Sequence, residues 1–143
     1  MTANLENKIV KIELLEMILS KGCKILNVSN STIIGSLSSE MKSQLRVLDL
    51  SFTVPNGNFQ AIIKCCQELK DVDLGYINED EGLSEEDLEL LAEKIPPNVE
   101  KLNLSHQDVK DDYVKILLRR CSKTLITGPL QDGIMFMVVT FMS

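Results

Sequence analysis

Asp49 and Asp73 sit in matching contexts, Leu48-Asp49-Leu50 and Val72-Asp73-Leu74, and come nearest in this chain to an acid–base pair. On adjacent strands ~4.8 Å apart, two such carboxylates repel, which raises one pKa and leaves an acid beside a base. Catalysis would also need an apolar pocket to desolvate them. The neighbouring residues promise an open sheet instead, with Lys101 as a neutralising cation. No Ser-His-Asp spacing stands out, and the single histidine, His106, would have to do everything. The four cysteines, Cys23, Cys65, Cys66 and Cys121, include no C-x2-C pair of the kind that holds zinc. The acidic run Asn78 to Gly82 invites a calcium reading. With Gly82 at the sixth place of an EF-hand loop, however, Ile77 falls at the first and Leu88 at the twelfth, where acids are required. That run reads as a solvated loop or as an acidic rim attracting a basic partner. No glycine-rich phosphate loop is present. The sequence is read as that of a non-enzyme, with no cofactor and no metal expected.

The elements that must position these residues belong to a chain of 143 residues, 44% hydrophobic and 25% charged, which suits one domain with a core. Aromatic residues are 4% of the chain, so Leu, Ile and Val must build that core. Fifteen basic residues against 21 acidic ones give a net charge of -6, which argues against nucleic acid and anionic membrane as partners. The start, Met1 to Lys8, lacks a basic stretch followed by an apolar run, so a cytoplasmic or nuclear location with buried, reduced thiols is expected.

Four segments superimpose without gaps: Cys23 to Ser29, Leu45 to Ser51, Leu69 to Gly75 and Val99 to Ser105. Each reads apolar-x-x-apolar-x-apolar-x, and the fourth positions, residues 26, 48, 72 and 102, are separated by 22, 24 and 30 residues. Between them the apolar spacing becomes helical. Phe59, Ile62, Ile63 and Cys66 recur at i, i+3, i+4 and i+7, as do Leu88, Leu91, Ala92 and Ile95, and Val114, Leu117, Leu118 and Cys121. Ser84 and Asp87 form a capping-box pattern, and Pro96-Pro97 ends the helix that follows it. An earlier helix is expected over Leu5 to Ser20, covering the first strand.

A strand–turn–helix unit stacked at this period predicts an α/β fold, a leucine-rich-repeat solenoid or horseshoe. Parallel strands would line its concave face and helices its convex face, in a single domain over 1–143. Thr124 to Pro129 breaks the pattern where a fifth strand is due, so 124–143 is expected to be an irregular apolar closing segment. Ile134 to Met142 is almost wholly apolar, yet as a helix it is shorter than the ~20 residues a bilayer needs. It reads as a degenerate closing strand, or as a tail from altered splicing or a changed reading frame.

Cys66-Gln-Glu-Leu69-Lys-Asp-Val72-Asp-Leu74 resembles the cysteine-containing leucine-rich repeat of F-box proteins, the substrate receptors of cullin-based ubiquitin ligases. Val99 to Ser105 followed by Leu117-Leu-Arg-Arg-Cys-Ser122 is similar to repeats of the S-phase kinase-associated type. The resemblance covers roughly Leu14 to Lys123. It implies substrate recognition for such a ligase, in a fragment or isoform lacking the F-box, since no Leu-Pro dipeptide of an F-box occurs. A free-standing adaptor or inhibitor unrelated to ubiquitination is the alternative. The ninth repeat position, commonly Cys or Asn, holds Ser31, Thr53, Ile77 and Gln107, and Ile77 has no group to bond the turn.

Alternation along a strand turns the third, fifth and seventh positions outward. The fifth column is Asn27, Asp49, Asp73 and Asn103; the seventh is Ser29, Ser51, Gly75 and Ser105; the eighth is Asn30, Phe52, Tyr76 and His106. Aromatic residues beside a row of small ones make binding anchors, unless Phe52 and Tyr76 fold inward to fill space near the turns. The partner-binding residues expected are Asp49, Phe52, Asp73, Tyr76, Lys101, Asn103 and His106. The partner expected is a protein, met as a peptide segment of a substrate or regulator, with a basic segment complementing the acidic loop. The chain itself is expected to be a monomer.

Overall fold

The computed structural model describes residues 1–38, 40–79, 81–107, 109–121, 125–129 and 135–139. It is a mixed α/β structure with a mostly parallel sheet and, among the described residues, four helices. The large sheet takes its strands in chain order: β1 (Thr2–Asn4), β3 (Ile25–Asn27), β5 (Val47–Asp49), β6 (Asp71–Asp73), β7 (Lys101–Asn103), β8 (Leu125–Pro129) and β9 (Met135–Val139). All neighbours are parallel except β8 and β9, which are antiparallel. A small parallel pair, β2 (Ile9–Lys11) and β4 (Thr32–Ile34), lies apart from it and is extended by a bridge from Thr32 to Val54.

Register aligns the repeats rung on rung. Leu26 pairs with Leu48, Leu48 with Val72, Val72 with Leu102 and Leu102 with Ile126. These five residues, with Val28, Leu50, Leu74 and Leu104, are each 2% exposed or less. Against them pack the apolar faces of α1 (Ile12–Ser20), α2 (Phe59–Cys65), α3 (Glu85–Lys94) and α4 (Asp111–Arg120). Neither layer can bury its own apolar side, so the single core between them holds the fold together. The first helical turn of α3 carries the expected capping box: Ser84 Oγ accepts from Asp87 N at 3.1 Å, and Ser84 N donates to Asp87 Oδ2 at 3.4 Å. Helix α3 ends at Lys94, two residues ahead of Pro96.

Three sequence expectations change. The helix expected over Leu5 to Ser20 is confined to Ile12–Ser20, and Thr2–Asn4 forms another parallel strand on the outer side of β3. Asn4 and Asn7 favour turns over helix interiors. Here Asn4 Oδ1 accepts from Glu6 N at 2.9 Å, and Asn7 holds a left-handed φ of 60°. At the other end, where the repeat was expected to break, Leu125–Pro129 adds a parallel strand to β7, and Met135–Val139 closes against it. Six parallel strands in place of four widen the sheet from ~15 to ~24 Å. Finally, the turn at Ile77 is regular. Ile77 N donates to Leu74 O at 3.2 Å, as Thr53 N does to Leu50 O, and its side chain is fully buried. Residues 124, 130–134 and 140–143 of the expected closing segment lie outside the described residues. Among the described residues no helix is long and apolar enough to cross a membrane.

Candidate functional site

The strand ends carry a ladder of side chains that the turns explain. At each rung the fifth-position Asn or Asp accepts the backbone N–H two residues on: Asn27 from Ser29 at 2.8 Å, Asp49 from Ser51 at 2.9 Å, Asp73 from Gly75 at 2.9 Å and Asn103 from Ser105 at 2.9 Å. This local bond lets the chain leave the strand and turn. Asp73 Oδ1 also accepts from Asn103 Nδ2 at 3.0 Å, while Asn103 Oδ1 accepts from Thr127 Oγ1 at 3.2 Å. Gly75 leaves room here: a Cβ would stand 3.1 Å from both Asp73 Oδ1 and Asn103 Nδ2, so a larger residue needs those side chains to shift slightly.

Asp49 and Asp73 are register partners on β5 and β6. Half-burial pushes the Asp73 carboxyl above its ordinary range, the Asp49 charge adds to that, and the Gly75 N–H and Asn103 amide oppose it. Lys101 was expected to neutralise this pair. It is instead the register partner of Asp71, and among the described residues the single ion pair joins Lys110 to Glu85. Asp71, Asp73, Lys101, Leu102, Asn103 and Thr127 line an open hollow of about 180 Å³. With one oxygen of each carboxylate committed to a turn, Asp49 and Asp73 can accept a donor through the other oxygen.

The eighth position lies just past this turn. It has positive φ at every rung: Asn7 60°, Asn30 52°, Phe52 57°, Tyr76 58° and His106 65°. A neighbouring carbonyl fixes the amides of Asn7, Asn30, Phe52 and Tyr76, as Phe52 N to Gly75 O at 3.0 Å and Tyr76 N to Ser105 O at 3.0 Å. The reversal sends the eighth side chain outward and the ninth inward. Ser31, Thr53 and Gln107 are buried, and their polar groups reach the preceding rung: Ser31 Oγ donates to Leu5 O at 2.6 Å and Thr53 Oγ1 to Val28 O at 2.6 Å.

Phe52, Tyr76 and His106 therefore stand on the surface. Phe52 is 54% and Tyr76 42% exposed, so neither folds inward to fill the core. Their rings stack along the column, with Phe52 and Tyr76 at 4.8 Å and 2°, and Tyr76 and His106 at 4.7 Å and 12°. The centroid spacing equals the distance between strands, so the sheet itself sets the stack. Beside it, Asn30, Phe52, Tyr76, Glu79 and His106 line an open cleft of about 260 Å³.

The structure thus gathers the expected residues into two neighbouring groups: the rings of Phe52, Tyr76 and His106 at the turn, and Asp49, Asp73, Lys101 and Asn103 on the sheet face. Sequence reasoning left out Asn30, Glu79 and Asp71. Asn7 and Asn30 were the available signal, because Asn is the residue other than Gly most at home in the left-handed region. Tyr113 lies on α4, donating to Glu85 Oε1 at 3.2 Å, and takes no part in the stack. The thiols of Cys65 and Cys66 are buried, and the hydrogen bond with Cys65, with burial, holds the Cys66 thiol well above its usual range. Among the described residues no three of His, Cys, Asp and Glu gather closely enough to hold a metal ion. No protein-family model matches the chain, and no curated protein matches it.

Proposed function

We propose that this chain is a protein-interaction module of the leucine-rich-repeat solenoid type, docking a peptide segment of a substrate or regulator across its sheet face. The observation that carries this reading is the exposed ring stack of Phe52, Tyr76 and His106. Rigid aromatic area held clear of the surface is the commonest source of binding energy at protein interfaces. The strand order, the rung-on-rung register and the repeated turn support the solenoid. The resemblance of the repeats to F-box receptors sets the module in substrate recognition for a cullin-based ubiquitin ligase, in the cytoplasm or nucleus. There it brings a bound protein near a ubiquitin-charged enzyme and contributes no chemistry of its own.

Affinity capture with the chain and with a Phe52→Ala, Tyr76→Ala, His106→Ala triple variant tests this. Cullin-ligase subunits or a short-lived regulatory protein, recovered with the chain and lost with the folded variant, are the expected result. Equal recovery of every partner by both proteins overturns the docking surface.

A further inference from the structure

We propose that the cleft beside the ring stack receives the guanidinium of an arginine presented by the partner protein; this deepens the docking reading above and rests on it. Tyr76 covers one face of the Phe52 ring. The second face fronts the neighbouring rung, where Asn30 carries a short side chain, and the cleft runs from there along the column past Tyr76, Glu79 and His106. A flat cation stacked on that face extends the column by one more plane. The ring face is the negative pole of its quadrupole and attracts such a cation.

The polar groups of the cleft point the same way. Glu79 has no ion-pair partner among the described residues, where the one salt bridge joins Lys110 to Glu85. Asn30 Nδ2 donates to Asn7 Oδ1 at 2.5 Å, and Asn30 Oδ1 accepts no hydrogen bond among the described residues. A carboxylate, an amide oxygen and a ring face thus surround the cleft, and none of its lining residues is Lys or Arg. Guanidinium is planar and carries donors only, so it suits a cleft that offers a ring face together with carboxylate and amide acceptors. An ammonium fits the charge but cannot stack, and a carboxylate or phosphate would face Glu79.

The probe is a hexa-arginine peptide, with a hexa-citrulline peptide of the same length as the uncharged, planar control, titrated against the full chain at physiological ionic strength. Hexa-arginine is expected to bind at least tenfold more tightly than hexa-citrulline. Phe52→Leu, which keeps an apolar side chain but removes the ring face, and Glu79→Gln are each expected to weaken it at least fivefold. Glu68→Gln, away from the cleft, serves as the control for general attraction to an acidic protein and is expected to leave it unchanged. Absence of hexa-arginine binding, or equal binding by the chain and the Phe52→Leu and Glu79→Gln variants, overturns the proposal. If a natural partner is still lost with the triple alanine variant in that case, the docking reading survives and arginine alone is rejected.

Discussion

The Tyr76 ring lies 4.8 Å from that of Phe52 and within 2° of parallel, although both residues hold the left-handed backbone. A bulky residue in that region costs about 1–3 kcal/mol, and a stacked aromatic pair returns roughly 0.5–1.5 kcal/mol. Asn7 and Asn30 make the same turn with a residue that tolerates it. Folding alone would be served as well by Asn at every rung. The rings are therefore placed where they gain little stability, and that imbalance supports a role in binding.

Tyr76→Asn is expected to change the unfolding free energy by less than about 1 kcal/mol, because relief of the left-handed strain offsets the two lost ring contacts. Tyr76→Ala and Tyr76→Asn are both expected to weaken partner binding by more than about 1 kcal/mol. Urea unfolding and titration with the captured partner check the two halves. An unchanged affinity in a folded variant removes Tyr76 from the docking surface.

Asp73 gives a pH dependence of definite sign. Its carboxyl is pushed up, first by burial and then by Asp49, so between the unfolded value of 3.8 and the raised folded value the native state binds more protons than the unfolded chain. The stability gained by protonation is complete below 3.8 and gone above the folded pKa, so Asp73 makes the protein less stable as pH rises through that window. Asp73→Asn removes the effect. The variant is expected to gain on the wild type between acid and neutral pH, in chemical unfolding measured at a series of pH values. A constant difference across the series contradicts it.

Thr53→Val tests the inward bonds of the ninth position. The substitution keeps shape but deletes the Oγ1 donor to Val28 O, in a residue with no exposed surface. A cost of about 1–2 kcal/mol in unfolding free energy is expected, with the turn retained. Retention follows from Ile77, where the same turn forms on backbone bonds alone. A neutral Thr53→Val would mean that water or a neighbour satisfies Val28 O.

The repeated strands could be read from the sequence because each core position recurs with fixed spacing, as at Leu26, Leu48, Val72 and Leu102. The outer strands could not. Thr2–Asn4 offers only Ala3 and Leu5 as its inward pair, and that pair merged with the helical spacing that follows. At Leu125–Pro129, Gly128 and Pro129 looked like a break, yet Leu125 to Thr127 pair with β7, and Gly128 and Pro129 continue the strand by pairing with β9. Within the site, the eighth column showed that Phe52, Tyr76 and His106 share a face. It did not show that they stack, because orientation is set by the left-handed turn and by strand spacing. The Asp49–Asp73 pair was legible as a pair, but its role in the turn depends on backbone N–H groups that no side-chain pattern reveals.

Asn58 is the clearest structural residue that composition and periodicity passed over. It is 2% exposed and ties two loops together: its Nδ2 donates to Gly35 O at 2.9 Å and Pro55 O at 2.8 Å, and its Oδ1 accepts from Leu37 N at 2.8 Å. It stands at the start of α2 but makes no side-chain cap to that helix, so it joins loops and does not begin the helix. Asn58→Ala strands these buried groups and is expected to cost about 3 kcal/mol. Asn58→Asp keeps the acceptor for Leu37 but loses both donations and buries a charge, so it is expected to cost at least as much. Urea unfolding of the two variants measures both costs. The Phe52 and Tyr76 turns are held by Gly75 O and Ser105 O, not by Asn58, so the folded fraction of Asn58→Ala is expected to bind the partner with unchanged affinity. A loss under about 1 kcal/mol would mean that the loop joining β4 to β5 is held without this amide.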